Sequence, residues 1–260
     1  MFFDQKKAGF SGERLKTPRS DYVFARQKEL VLDLLVPLSG ERILDIGCGT
    51  GNNLQFFHEK WCSFTGIDSS VEKLEIARQK YGNRAEFVSG DPRDLPFSDD
   101  EFDIVTIINF LEISDNPQKV IEEAIRVCRG RVFIGFLNNY SFVGTRQRLK
   151  EIFGFSLSQE MRFFSFPEIK NIVENSTGDT AIKWGSVIYF PGIVYDFFGE
   201  LEEMFPVRKN PFGAFIGMTF PVRYTYRTAQ SPVVNSFKLK TETRDAAPEA
   251  VRGMLRQADK

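Results

Sequence analysis

Ile43-Leu44-Asp45-Ile46-Gly47-Cys48-Gly49-Thr50-Gly51, or ILDIGCGTG, decides how the chain is read. Four residues of a buried-strand type run straight into three glycines at alternate positions. Glycine reaches backbone conformations closed to other residues and lets a ligand approach the main chain closely. In an open α/β sheet, ligands bind beyond the carboxyl ends of the strands, where a strand hands over to its helix. The order here is G-x-G-x-G, followed by Asn52. It fits neither the dinucleotide fingerprint G-x-G-x-x-G nor the triphosphate loop G-x-x-x-x-G-K-[ST].

Working outward, the residues from Ser20 predict a helix. Ser20 or Asp21 is its cap, Val23, Phe24, Leu30, Val31, Leu34 and Leu35 form one face, and Pro37 and Gly40 end it. Beyond the glycines, 52–60 reads as helical, with Leu54, Phe57 and Trp61 on one stripe. SFTGID (63–68) is a second strand. Ser69 and Glu72 read as a capping box for a helix that turns Leu74, Ala77 and Tyr81 inward and stops at Gly82. AEFVSGD (85–91) is a third strand. FDIVTIIN (102–109), almost wholly apolar, is a fourth, covered on both faces. Asn116 and Pro117 open a helix whose face is Val120, Ile121, Ala124, Val127 and Cys128, and RVFIGFL (131–137) is a fifth strand.

This alternation predicts an α/β fold with a doubly wound, parallel sheet, right-handed crossovers and helices on both faces. The final strands are expected in 181–190 and 213–226, after a helix at 167–175 capped by Ser165. The organisation is then an N-terminal helical segment (1–38), a domain (39–226) with aromatic-rich inserts at 138–164 and 190–211, and a polar, mobile tail (227–260).

Composition narrows the function classes. A net charge of −1 in 260 residues disfavours a polyanion-binding surface, so no nucleic-acid partner is expected. Cys48, Cys62 and Cys128 are widely spaced and His58 is the single histidine, so no metal site is expected. His58 itself reads as a surface or boundary residue. The chain has no run of 18 apolar residues, so no membrane span is expected, and the cysteine usage and N-terminus suggest a cytoplasmic location. The 27 phenylalanines exceed what a core of this size requires and suggest an apolar binding pocket.

ILDIGCGTG resembles motif I of the class I S-adenosylmethionine-dependent methyltransferases, of the bacterial small-molecule type. Asp68 closes the second strand and Gly90-Asp91 the third, while DLPFSDDEFDIV (94–105) matches the family's run into the fourth. The resemblance covers about residues 30–226 and implies a mostly parallel, seven-stranded Rossmann-like sheet with an antiparallel last strand, S-adenosyl-L-methionine as cofactor and S-adenosyl-L-homocysteine as product. It implies a cofactor site of Asp45, Gly47, Cys48, Gly49, Thr50, Gly51, Asp68, Ser69, Asp91, Pro92, Asn109 and Phe110. In it Asp45 neighbours the amino-acid part, Asp68 binds the ribose hydroxyls and Asp91 lies near the adenine amino group. A carboxylate suits the ribose because charge-assisted hydrogen bonds exceed neutral ones.

No catalytic residue stands out. The family's LEH-like stretch reads Phe110-Leu111-Glu112-Ile113 here, and Glu112 is either a base or a solvated or capping loop carboxylate. The partner is expected to be a small, apolar or aromatic methyl acceptor, held by Tyr22, Phe24 and the segments after strands five and six. There Arg146, Arg148 and Lys150 either meet an acidic group or form a solvated face. A methyltransferase of protein or RNA and a non-catalytic adenosylmethionine-binding module are the alternatives. The oligomeric state is left open.

Overall fold

A computed structural model describes residues 18–57, 60–141, 162–178, 180–188 and 210–222. Within them seven strands form one sheet: β1 (Arg42–Ile46), β2 (Ser63–Asp68), β3 (Glu86–Ser89), β4 (Phe102–Ile108), β5 (Cys128–Leu137), β6 (Lys183–Val187) and β7 (Phe215–Pro221). Their spatial order is β3-β2-β1-β4-β5-β7-β6. Strands β1 to β5 pair in parallel, and β7 runs antiparallel to both β5 and β6. The strand order reverses between β1 and β4, and that switch point is where a doubly wound sheet binds its ligand.

Two apolar layers cover the sheet, because side chains alternate across each strand. On one face Ile43, Phe64, Phe87, Ile104 and Phe133 pack with α1 (Pro18–Leu35), α2 (Val71–Tyr81) and a 3₁₀ turn, Asn52–Phe56. On the other Leu44, Ile46, Ile67, Val105 and Ile134 meet α3 (Pro117–Val127) and α4 (Phe166–Thr177). Most of the expected apolar faces are in place: Val23, Leu30, Val31 and Leu35 of α1 and Val120, Ile121, Ala124 and Val127 of α3 are buried, whereas Phe24 and Leu34 are half-buried and Cys128 opens β5 instead of closing α3.

Several local expectations are corrected. Helix α1 already begins at Pro18, which puts Ser20 and Asp21 inside its first turn. The stretch after the glycines is a 3₁₀ turn with three residues per turn, so the helical stripe does not continue and Trp61 is 85% exposed. Helix α2 is capped by Ser70, whose hydroxyl accepts from Lys73 N. The cap lies one residue later than Ser69 because the Asp68 carboxylate takes Ser70 N at 2.9 Å and sets the register of the turn. Ser165 and Glu168 do form a capping box on α4. His58, Arg146, Arg148, Lys150, the tail 227–260 and most of both inserts (142–161 and 190–209) lie outside the described residues.

Candidate functional site

The glycine loop follows β1 at the switch point. Gly47 N and Cys48 N both donate to Ile67 O of β2, at 2.8 and 3.1 Å, which draws the loop across the end of β2. Asp68 completes the attachment, with Oδ2 accepting from Gly49 N and Oδ1 from Ser70 N, both at 2.9 Å. Tyr81 donates to Gly51 O at 2.8 Å from the end of α2. Gly47 has φ +72°, and a Cβ there would lie 2.1 Å from the Phe110 ring, so that ring rests directly on the loop. A Cβ on Gly49, at φ +54°, would meet only the Lys73 side chain, at 3.9 Å. One flank of the loop is therefore packed and the other open.

Asp45 is fully buried in β1, one residue short of the loop. Thr106 of β4 donates to Oδ1 at 2.7 Å and Asn53 to Oδ2 at 3.1 Å. Burial pushes its carboxyl up to about 7, against the lowering effect of those two bonds. Thr106 and Asn53 were missed in the sequence. Thr106 carried a signal, as a polar residue inside an otherwise apolar strand and opposite Asp45 in the register.

Cys48 is buried and its Sγ packs where a side chain on Gly66 would stand, and burial pushes the thiol well up. That suits a loop residue used for its backbone and not as a nucleophile. Thr50 is buried and Ser69 exposed. Asp91 follows β3, but both its oxygens accept from Arg93, including Nη2 at 2.8 Å and the Arg93 amide at 2.9 Å. This pairing holds its carboxyl below the usual range. Pro92 beside it is buried.

Asn109 and Phe110 leave the end of β4. Asn109 has φ +54°, and its Oδ1 is shielded from solvent with no hydrogen-bond partner. Glu112 is neither solvated nor a cap: it is 1% exposed and its Oε1 accepts from Leu137 N at 2.6 Å.

The site brings Asp45, the glycine loop, Asp68, Asn109 and Phe110 together at one end of the sheet, with Asp91 at the end of neighbouring β3. Among the described residues no group of His, Cys, Asp and Glu is arranged to hold a metal, and no helix is long and apolar enough to cross a membrane.

Residues 43–130 match the family described as a methyltransferase domain. The chain carries a class I S-adenosylmethionine-dependent methyltransferase domain. Over 112 residues it is 35% identical to a demethylmenaquinone methyltransferase of Thermotoga maritima, an overlap that is 41% of this chain and 48% of that protein. Over 138 residues it is 36% identical to an uncharacterized protein of Methanocaldococcus jannaschii, 51% of this chain and 60% of that one. The chain thus spans about half the length of the curated relatives it matches. Among solved structures, an S-adenosylmethionine-dependent methyltransferase of Thermotoga maritima, described as a possible histamine N-methyltransferase, shares the fold. Its TM-score is 0.61 at 20% identity, covering 79% of this chain and 91% of that one. A [4+2]-cyclase shares the fold as well, with a TM-score of 0.55 at 18% identity, covering 75% of this chain and 79% of that one.

The methyltransferase domain's residues fit its family's cofactor on their own chemistry. A sulfonium carrying an α-ammonium and a ribose needs acceptors. The loop end offers the Asp68 carboxylate, the buried Asp45 carboxyl and the unmatched Asn109 oxygen.

Proposed function

We propose that the chain is an S-adenosylmethionine-dependent methyltransferase acting on a small, apolar or aromatic molecule. The observation that carries this reading is the glycine loop, tied down by Asp68 yet open at Gly49. An open cradle beside two aspartates suits a cationic nucleoside better than an anionic dinucleotide.

When bound, the cofactor supplies an activated methyl group. The chain's own residues bind and orient. Asp68 accepts from the ribose hydroxyls while keeping the loop in place, and Asp45 and Asn109 face the α-ammonium end. The main chain of Gly47, Cys48, Gly49, Thr50 and Gly51 lines the methionine part, with Phe110 behind it. Asp91, Pro92 and Ser69 border the adenine and ribose, with Asp91 held in place by Arg93. Methyl transfer is an in-line displacement, aided chiefly by alignment, so positioning is most of what the protein contributes.

An apolar acceptor is supported by the phenylalanine-rich composition and by relatives named demethylmenaquinone methyltransferase and ubiquinone/menaquinone biosynthesis C-methyltransferase, the latter 30% identical over 116 residues. The expected outcome of titration calorimetry is micromolar binding of S-adenosylhomocysteine and none of NAD. Binding of NAD without response to S-adenosylhomocysteine would overturn the proposal.

A further inference from the structure

Strand β2 and the end of α2 leave a cavity between them that the cofactor residues do not use. It measures about 630 Å³, within the range of small-molecule sites, and opens beside the 3₁₀ turn Asn52–Phe56. Leu54, Phe57 and Phe64 form its apolar floor, with the two phenylalanine rings 6.0 Å apart, and Trp61 and Tyr81 form its walls. Cys62 adds a thiol that burial holds protonated, so it brings no negative charge. Among the described residues that line the cavity, Arg84 is the one charged side chain.

The fold does not account for two of these residues. Trp61 has φ +54°, a conformation that bulky residues rarely adopt, and its indole is 85% exposed at the rim. Its carbonyl accepts from Gly40 N at 3.0 Å, which fixes the strained turn but leaves the ring outside the core. An outlier of this kind is a reason to look for a use. Arg84 is exposed and pairs with no carboxylate among the described residues. The neighbouring cations are occupied: Arg78 donates to Phe87 O at 2.7 Å and Lys80 to Asn52 at 2.9 Å. An aromatic-lined hollow with one unpaired guanidinium complements a ligand that is flat, apolar and singly negative.

We propose that this cavity is a second ligand site, for a small aromatic carboxylate whose rings pack on Trp61, Tyr81 and Phe57 and whose carboxylate meets Arg84. The assignment does not rest on the methyltransferase reading. The site is nonetheless joined to the glycine loop. Tyr81 donates to Gly51 O at 2.8 Å, and its ring lies where a side chain on Gly51 would stand. None of the cofactor residues lines the cavity, so both ligands can be bound at once. A ligand seated on Tyr81 steadies the loop, so each ligand should hold or raise the affinity of the other.

The test titrates the protein with 2-naphthoate and with its neutral counterpart, 2-naphthamide, by calorimetry. Naphthoate should bind with a dissociation constant of about 0.1 mM or below, in keeping with its size. At low salt it should bind about threefold or more tightly than the amide, and the gap should close as salt screens the exposed pair. Arg84→Gln should erase that preference and leave the affinity for the amide unchanged. Trp61→Ala should weaken both ligands about fivefold or more, through the lost ring contact. Both side chains are exposed, so neither change threatens the fold. Saturation with S-adenosylhomocysteine should leave naphthoate binding as tight or tighter.

No binding of naphthoate at about 1 mM would overturn the assignment. So would equal binding of the amide at low salt, affinities that ignore either substitution, displacement by S-adenosylhomocysteine, or tighter binding of decanoate, which would give the cavity to an acyl chain. A dimer in sedimentation that Trp61→Ala dissociates would give this face to a second copy and overturn it as well. Failure of S-adenosylhomocysteine to bind at all would strike the methyltransferase reading and leave the naphthoate result standing.

Discussion

Asp68 shows how one side chain serves the fold and the ligand together. Its two oxygens each hold a backbone amide, Gly49 N and Ser70 N, so removing it loosens the loop and the entry to α2 as well as the ribose contact. Asp68→Ala should lower stability by about 1–3 kcal/mol through the two amides left unmatched. It should also weaken S-adenosylhomocysteine binding about tenfold or more, since one charge-assisted bond is worth roughly that. Asp68→Asn keeps one acceptor and should recover most of the stability but little of the affinity. Chemical denaturation and calorimetry on both variants separate the two roles, and an unchanged dissociation constant in a folded Asp68→Ala protein would leave Asp68 with the structural one alone. The sequence marks Asp68 because it ends a strand, but it does not show that its carboxylate also displaces the helix cap from Ser69 to Ser70. Such a one-residue shift depends on side-chain reach and not on pattern.

At the scale of elements, the glycine loop and its flanks make opposite demands. Gly47 is closed by an element far away in sequence: any side chain there enters the Phe110 ring. Gly49 faces open space and is constrained only by its positive φ. Gly49→Ala should therefore cost about 1–3 kcal/mol of stability, the strain of a left-handed residue, and reduce cofactor binding by crowding the cradle. Gly47→Ala should cost distinctly more, because strain and a ring collision add. Thermal melts without ligand give the order, and a Gly47→Ala protein as stable as Gly49→Ala would refute the packing of Phe110. A second joint lies at the other end of the sheet. Arg131 of β5 donates to Leu35 O and Val36 O at the end of α1 and forks onto Glu41 at 2.8 and 2.9 Å. Arg131→Ala should destabilise by about 2 kcal/mol, since it strips a helix end of its donors, whereas Arg129→Ala, at an exposed pair, should be near neutral. Of these features the sequence reveals the elements, through hydrophobic period and glycine placement, but not the joints. Trp61 is the clearest miss: the segment before it forms a 3₁₀ turn, so the helical stripe of Leu54 and Phe57 does not reach it.

For the whole molecule, the fold class was legible because five apolar segments alternate with amphipathic ones and leave few topologies. What pattern could not show is depth, and two buried carboxyls give the molecule an unusual dependence on pH. Asp45 and Glu112 both titrate near 7 when folded, against 3.8 and 4.5 for the free groups. The folded state therefore holds more protons than the unfolded chain between about pH 4 and 7. Stability from these groups is full below the free values and is lost as pH rises through 7. Asp91, Asp103, Glu123 and Glu168 have the opposite sign: pairing with arginines lowers the first three carboxyls and the Ser165 amide, helped by Arg162, lowers Glu168, and that stability is lost as pH falls below about 4. The ligand-free protein should thus be most stable near pH 5 and lose a few kcal/mol by pH 8. Asp45→Asn should remove part of that decline and Glu112→Gln another part. S-adenosylhomocysteine should also restore the Asp45 share, because an α-ammonium favours the carboxylate. Its binding near pH 6 should then release a proton, seen as a calorimetric enthalpy that changes with the ionisation heat of the buffer. A melting temperature that stays level from pH 5 to 8, with buffer-independent binding heats, would mean that neither carboxyl is held in its protonated form by the fold.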